Sequence, residues 1–198
     1  MQTKQEMRRA AYDARKAQEN KDEVSEAAIR HLIALPEYQQ AQTVMWYIDV
    51  RTELRTRNFL PEFIESGKRI IVPYCTTDEN GDNKLGLWHL ESMDELVVGM
   101  WSILEPPKER WGEPGKEVEP EDLDFVVVPA VGFDRRGARL GNGQGYYDRL
   151  LDRVRPDAPL VGLGYESQVF DEIPVDEHDV FMDKIVTENG VFAGRGRG

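Results

Sequence analysis

Five short apolar runs rich in β-branched residues constrain this chain more than any other feature: TVMWYI at 43–48, RIIV at 69–72, FVVV at 125–128, LVGL at 160–163 and KIVT at 184–187. Each is too short for a helix and too evenly apolar for a strand with one wet face, so each reads as a buried strand. Between the first two lies a helical pattern, Phe59, Leu60, Phe63 and Ile64, closed by Ser66-Gly67. Strand, helix and strand imply a right-handed parallel crossover. The turn signal DENGD at 78–82 then predicts a hairpin between Tyr74-Cys75 and 85–90, which interrupts the parallel order. A helix over 146–154 leads into the run at 160–163 and continues the alternation.

Ahead of the first strand, Met7, Ala10, Ala11, Ala14 and Ala17 recur at helical spacing within 3–20, and Val24, Ala28, Leu32 and Leu35 share one face over 22–35, with Pro36 beyond the end. Two antiparallel helices are therefore expected first. The whole predicts an α/β fold: three layers, α/β/α, around a mostly parallel but mixed Rossmann-like sheet. Residues 1–190 read as one domain and 191–198 as a flexible C-terminal tail. Pro106, Pro107, Pro114 and Pro120 among many acids make 105–122 a solvated excursion over the surface.

Charge narrows the function. The 198 residues carry 25 Lys and Arg against 37 Asp and Glu, a net charge of −12, which lacks the basic footprint a nucleic acid requires. No stretch has the roughly 20 consecutive apolar residues of a membrane span, and the first residues are basic and polar, so a cytoplasmic protein with no membrane partner is expected. One cysteine, Cys75, and three scattered histidines, His31, His89 and His178, exclude an internal disulfide and argue against a structural zinc site. Any metal would need oxygen ligands.

The chemistry concentrates in VPAVGFDRRGARLGNGQGYYDRLL, 128–151. A buried strand runs into a loop holding Gly137, Gly141, Gly143 and Gly145, and the loop opens a helix near Tyr146. Glycines let backbone N–H groups approach phosphate oxygens, and a helix N-terminus adds free donors and a positive dipole end. Arg139 can add a full charge. The spacing matches neither GxGxxG nor GxxxxGK[ST], so a plain glycine-rich connection remains the alternative. On the first helix, Lys4, Arg8 and Arg15 fall within about 40° of one another beside the apolar stripe, which is equally the pattern of a solvated edge. Asp148 at a helix start serves as a cap or as a metal ligand.

FDRRGARLGNGQGYYDR resembles the signature of the 5-formyltetrahydrofolate cyclo-ligases, also called methenyltetrahydrofolate synthetases. Lys4 and Arg8, TELRT at 52–56, Trp101 before the proline-rich loop, and IPVDEHDVFMD at 173–183 follow in the order of that family. The resemblance implies ATP-dependent cyclisation of 5-formyltetrahydrofolate to 5,10-methenyltetrahydrofolate, with magnesium required, by a monomer whose partners are small molecules. It assigns Lys4 and Arg8 to ATP, where one helical turn between them suits a shared triphosphate. Arg139, Leu140, Gly141, Asn142, Gly143, Gln144, Gly145, Tyr146 and Tyr147 become the phosphate loop, with Lys4 and Arg139 acting on the reacting phosphate. Asp148 and Asp179 become magnesium ligands.

Ile48 and Glu53 would meet the folate. The amino-pyrimidinone edge of a pterin presents two adjacent N–H donors that the Glu53 carboxylate can accept together. Trp101 and Tyr146 offer flat faces to the pterin or aminobenzoyl ring, or else belong to the core. Arg15 stays with the solvated edge and His178 with its loop. Asn142 and Gln144 stand at the variable loop positions and bring donors without charge. A non-catalytic folate- or nucleotide-binding homologue and an α/β sugar-phosphate enzyme are the competing readings.

Overall fold

The computed structural model describes residues 1–198. Five α-helices follow one another as α1 (Lys4–Ala17), α2 (Lys21–Ile33), α3 (Pro36–Gln40), α4 (Leu60–Glu65) and α5 (Tyr146–Arg153). The strands are β1 (Thr43–Met45), β2 (Arg69–Thr77), β3 (Asn83–His89), β4 (Val97–Val98), β5 (Leu104–Glu105), β6 (Phe125–Val128), β7 (Gly132–Asp134), β8 (Arg139–Leu140), β9 (Leu160–Leu163), β10 (Val169–Phe170), β11 (Lys184–Thr187) and β12 (Gly190–Ala193). No helix is long and apolar enough to cross a membrane.

The main sheet has the order β12-β11-β9-β6-β1-β2-β3. Its five inner strands are parallel, and β3 and β12 close the edges antiparallel. All five apolar runs of the sequence contribute strands to it, the first only over Thr43–Met45. Both faces are covered, as the absence of a wet face on those runs requires. In β6, Phe125 and Val127 join Ala28, Ile29 and Leu32 of α2 and Phe63 of α4, while Val126 and Val128 join Leu150 and Leu151 of α5. Successive side chains point to opposite faces, and the result is the predicted three-layer, mostly parallel α/β architecture.

A second, three-stranded sheet, β10-β7-β8, turns the 132–140 stretch into a hairpin instead of an open loop. The buried Asp134 carboxylate holds it, accepting from the backbone N–H groups of Arg136 at 2.9 Å, Ala138 at 3.1 Å and Ile173 at 2.9 Å. Helix α1 packs on this small sheet through Met7 and Ala11, against Val131, Ala138, Leu140 and Phe181. Thr3 starts α1 with a capping box to Glu6. The two N-terminal helices thus cover different surfaces, since α2 lies chiefly on β11 and β12.

Several expectations need correction. Ala10 and Ala17 are exposed, and the buried line of α1 is Met7, Ala11 and Arg15. Helix α2 ends at Ile33 rather than Leu35, and Pro36, beyond that end as expected, opens the further helix α3 at its first turn, where a missing N–H costs nothing. Strand β2 does not stop at Pro73; β1 accompanies it only as far as Ile71, so proline deprives no neighbour of a ladder bond there. The 105–122 segment is not a solvated excursion, for Glu105 and Val118 are buried and Trp111 stacks on Tyr74 with ring centroids 4.6 Å apart. Nor is 191–198 a loose tail. It pairs with β11, and Arg197 donates to the carbonyls of Val154 at 2.8 Å and Arg155 at 2.9 Å.

Strand order decides where a ligand can sit. From β1 the chain turns to β2 on one side and later fills β6, β9 and β11 on the other. In open α/β sheets, the crevice at the carboxyl ends of strands where the order reverses is the ligand-binding position. Here it opens between Tyr47 and Ile48, after β1, and Pro129, after β6.

Candidate active site

That crevice is a cleft of about 660 Å³. Every residue selected from the sequence lines it: Lys4, Arg8, Ile48, Glu53, Trp101, the run from Arg139 through Leu140, Gly141, Asn142, Gly143, Gln144, Gly145, Tyr146 and Tyr147 to Asp148, and Asp179.

One half is cationic and rich in free amides. Gly143 and Gly145 adopt φ of +85° and +78°, and Gly145 enters α5 with no side-chain cap on the helix N–H groups. These amides are therefore available to an anion. Arg139 leaves β8 beneath the loop with a side chain only 11% exposed. Its Nε donates to the Pro129 carbonyl at 3.0 Å, its Nη1 lies 3.6 Å from Asp148 Oδ1, and its guanidinium sits 5.1 Å from the Tyr147 ring centroid. Burial lowers its pKa, against the pull of Asp148. Arg8 Nε donates to the Gly141 carbonyl at 2.8 Å, and Tyr12 Oη donates to Asn142 Oδ1 at 2.7 Å. From the opposite side, Asn83 Nδ2 donates to the Gln144 carbonyl at 2.9 Å. The glycine loop is thus clasped between α1 and the β2–β3 hairpin.

Lys4 Nζ stands 3.5 Å from Asp179 Oδ2 and 3.7 Å from Asp176 Oδ2. Asp148, 73% exposed, makes no helix cap. No group of three or more His, Cys, Asp or Glu encloses a metal. Two hard oxygen donors beside a phosphate-type loop suit a divalent cation that arrives on a polyphosphate and keeps much of its water, and they do not make a cage for a free ion.

The other half is apolar with one acid in it. Ile48 is buried in the wall, and Tyr47 is fixed by donating its hydroxyl to the Leu54 carbonyl at 2.9 Å. Glu53 closes a tight loop: Val50 N–H donates to its Oε2 at 3.1 Å, and Glu53 N–H donates to the Val50 carbonyl at 3.2 Å. Desolvation in the cleft raises its carboxyl to about 7, opposed by the Val50 hydrogen bond and by the charge of Arg15. Trp101 is 55% exposed on the β4–β5 hairpin and has a left-handed backbone, φ +56°. An indole held at the cleft mouth is no core residue.

Sequence reasoning missed Tyr12, Tyr47, Val50, Arg51, Tyr74 and Asp176, which also line the cleft. Tyr12 lies one turn beyond Arg8, and Asp176 three residues before Asp179. Both spacings were legible once those partners were chosen. Arg15, assigned to a solvated edge, is in fact buried and reaches Thr52. His178 is 87% exposed and stays in its loop as expected.

The 5-formyltetrahydrofolate cyclo-ligase family model matches residues 1–188. A 5-formyltetrahydrofolate cyclo-ligase of Mycolicibacterium smegmatis is 32% identical over 155 residues, covering 78% of each chain. The solution structure of a 5,10-methenyltetrahydrofolate synthetase from Aquifex aeolicus superposes with a TM-score of 0.80 at 36% identity, covering 98% of this chain and 95% of that one. A Mycoplasma pneumoniae 5,10-methenyltetrahydrofolate synthetase, 22% identical with a TM-score of 0.72 over 94% of this chain and 99% of its own, shares the fold. Sequence over nearly the full length, topology and a two-sided cleft at the switch point agree, and the chain belongs to the 5-formyltetrahydrofolate cyclo-ligase family.

Proposed function

We propose that this protein converts 5-formyltetrahydrofolate to 5,10-methenyltetrahydrofolate at the expense of ATP, releasing ADP and phosphate, as a cytoplasmic monomer. The observation that carries the reading is the meeting, in one cleft, of an amide-rich cationic half fit for a triphosphate and an apolar half with a single carboxylate fit for a pterin. The formyl oxygen attacks the γ-phosphorus and ADP departs. Nitrogen-10 then attacks the activated formyl carbon, its proton goes to solvent, and phosphate leaves with the former formyl oxygen. No protein nucleophile is needed, because phosphoryl transfer depends on positioning and charge neutralisation.

Arg139, Lys4 and Arg8 neutralise and orient the triphosphate, and the amides from Gly141 to Tyr147 hold its oxygens, with Leu140 buried as the loop's anchor. Glu53 accepts the two pterin donors, Ile48 forms the wall, and Trp101 and Tyr146 supply flat faces. Fixing both substrates places nitrogen-10 against the activated carbon, so ring closure becomes intramolecular. Magnesium, when bound with ATP, supplies additional neutralisation of the phosphate charge, and Asp148 and Asp179 are the residues that would hold it.

Substrate labelled with oxygen-18 in the formyl group tests the sequence of steps: one labelled oxygen should appear in inorganic phosphate for each methenyl product. Unlabelled phosphate would overturn formyl-oxygen phosphorylation. Asp148→Asn tests the ligand assignment. Asparagine keeps shape and caps a helix about as well as aspartate, so stability should hold while the magnesium concentration for half-maximal rate rises several-fold. Superimposable magnesium titrations would remove Asp148 from the metal.

A further inference from the structure

Arg15 has a burial that its contacts do not explain. The residue is only 4% exposed, yet its Nε and Nη2 donate, at 3.1 and 3.0 Å, to a single neutral atom, Thr52 Oγ1. No carboxylate pairs with it, and its guanidinium sits 5.1 Å from the Tyr12 ring centroid. Burying a cation without an anion costs far more than one threonine hydroxyl returns. On a helix whose other buried positions are Met7 and Ala11, a leucine would fill the same line of contact. The charge is retained for something beyond packing.

Thr52 lies in the loop that presents Glu53. Arg51, beside it, has a left-handed backbone, φ +55°, a conformation that a non-glycine residue keeps only when its surroundings over-determine it. The loop closes on itself through Val50 and Glu53, and Arg15 grips it from α1.

We infer that Arg15 is a positioning residue for folate recognition: it locks the 50–53 loop through Thr52 and sets a buried positive charge beside the Glu53 carboxylate. The inference rests on Glu53 as the pterin acceptor. The charged and titratable groups whose fields reach that carboxylate are Arg15 of α1, Asp49 and Arg51 of its own segment, Tyr47 after β1 and Tyr147 of α5. Arg15 and Arg51 favour the ionised form that a pterin's donors require, whereas Asp49 and the desolvating walls oppose it. Removing Arg15 therefore raises the pH at which Glu53 becomes an acceptor.

The test compares Arg15→Leu, Arg15→Lys, Thr52→Val and Glu53→Gln in the full chain, by KM for each substrate and by the pH profile of kcat/KM for the folate. Arg15→Leu should raise the folate KM by roughly tenfold or more and leave the ATP KM within about twofold. Its acid limb should move up by about one pH unit, since loss of a nearby opposite charge raises an acid's pKa. Arg15→Lys should keep the limb near its wild-type position while raising the folate KM, because an ammonium keeps the charge and loses the fork. Thr52→Val should raise the folate KM with the limb unmoved.

A folded Arg15→Leu protein with an unmoved limb, or with both KM values raised alike, would overturn the inference. If Arg15→Leu does not fold, an unchanged folate KM in both Arg15→Lys and Thr52→Val overturns it. Glu53→Gln separates the two layers. Impaired folate binding there, with the Arg15 and Thr52 variants unaffected, sinks the inference alone. An unaffected Glu53→Gln sinks the reading of Glu53 and the inference with it.

Discussion

Arg139→Ala should lower kcat/KM for ATP roughly 10- to 150-fold, the range for losing a charged hydrogen bond, with the fold intact. The side chain is held for the task before any substrate arrives, by the Pro129 carbonyl, the Tyr147 ring and the edge of Asp148. Such preorganisation lets a cation act on developing phosphate charge without reorganising at the moment of reaction. The alanine cavity opens onto the cleft, where water can replace the lost bond to Pro129. Lys4→Ala should be milder, because Lys4 is 36% exposed and already shares its charge with Asp176 and Asp179. Steady-state kinetics against ATP, beside a thermal melt, checks both. An Arg139→Ala enzyme with unaltered ATP kinetics would remove the residue from the phosphate site.

Gly143→Val should be more severe, taking turnover below about 1% of wild type. Valine resists φ +85° because its two γ-carbons crowd the backbone, a strain of roughly 1–3 kcal/mol, and relief would redirect the amides of the loop. Its Cβ would also lie 3.6 Å from Arg8 Nη2, with the γ-carbons extending from there. Gly143→Ala isolates the backbone effect, since that 3.6 Å contact is ordinary, and it should retain an intermediate rate. The position is exposed, so no packing is lost and any fall in melting temperature should be limited to the cost of that backbone strain. A fully active Gly143→Val enzyme would show that the loop does not approach phosphate through its backbone.

Most of this architecture was legible because buried parallel strands write themselves as uninterrupted β-branched runs, and the chain has five of them. What escaped was held by long-range contacts of individual side chains, which leave no periodicity. The β7–β8 hairpin depends on the Asp134 carboxylate, the ordered C-terminus on Arg197 reaching backbone carbonyls, and the 105–122 path on the Tyr74–Trp111 stack. In each case a polar or proline-rich segment reads as loop until its long-range partner is known. Within the site, spacing left the glycine loop open to a plain connection and the Lys4–Arg8 pair open to a solvated edge, and only the family signature pointed to both as site residues; both line the cleft.

Arg15 was not readable, for a physical reason. Lys4, Arg8 and Arg15 share one edge of a helical projection, and the projection cannot say which of them turns toward a neighbouring loop. Arg15 is buried where α1 passes Thr52, whereas Lys4 and Arg8 line the cleft. The raised carboxyl of Glu53 was equally invisible, being a consequence of walls drawn from distant parts of the chain.

The central claim is that this cleft couples ATP cleavage to closure of the folate ring. Absorbance of the methenyl product, followed with purified protein, 5-formyltetrahydrofolate and magnesium, with and without ATP, tests it most directly when phosphate is assayed in the same samples. The account predicts product only with ATP, at one phosphate per ring closed, and loss of both signals together in Gly143→Val. Ring closure at the same rate without ATP, or ATP hydrolysis that proceeds unchanged without the folate and yields no methenyl product, would contradict it.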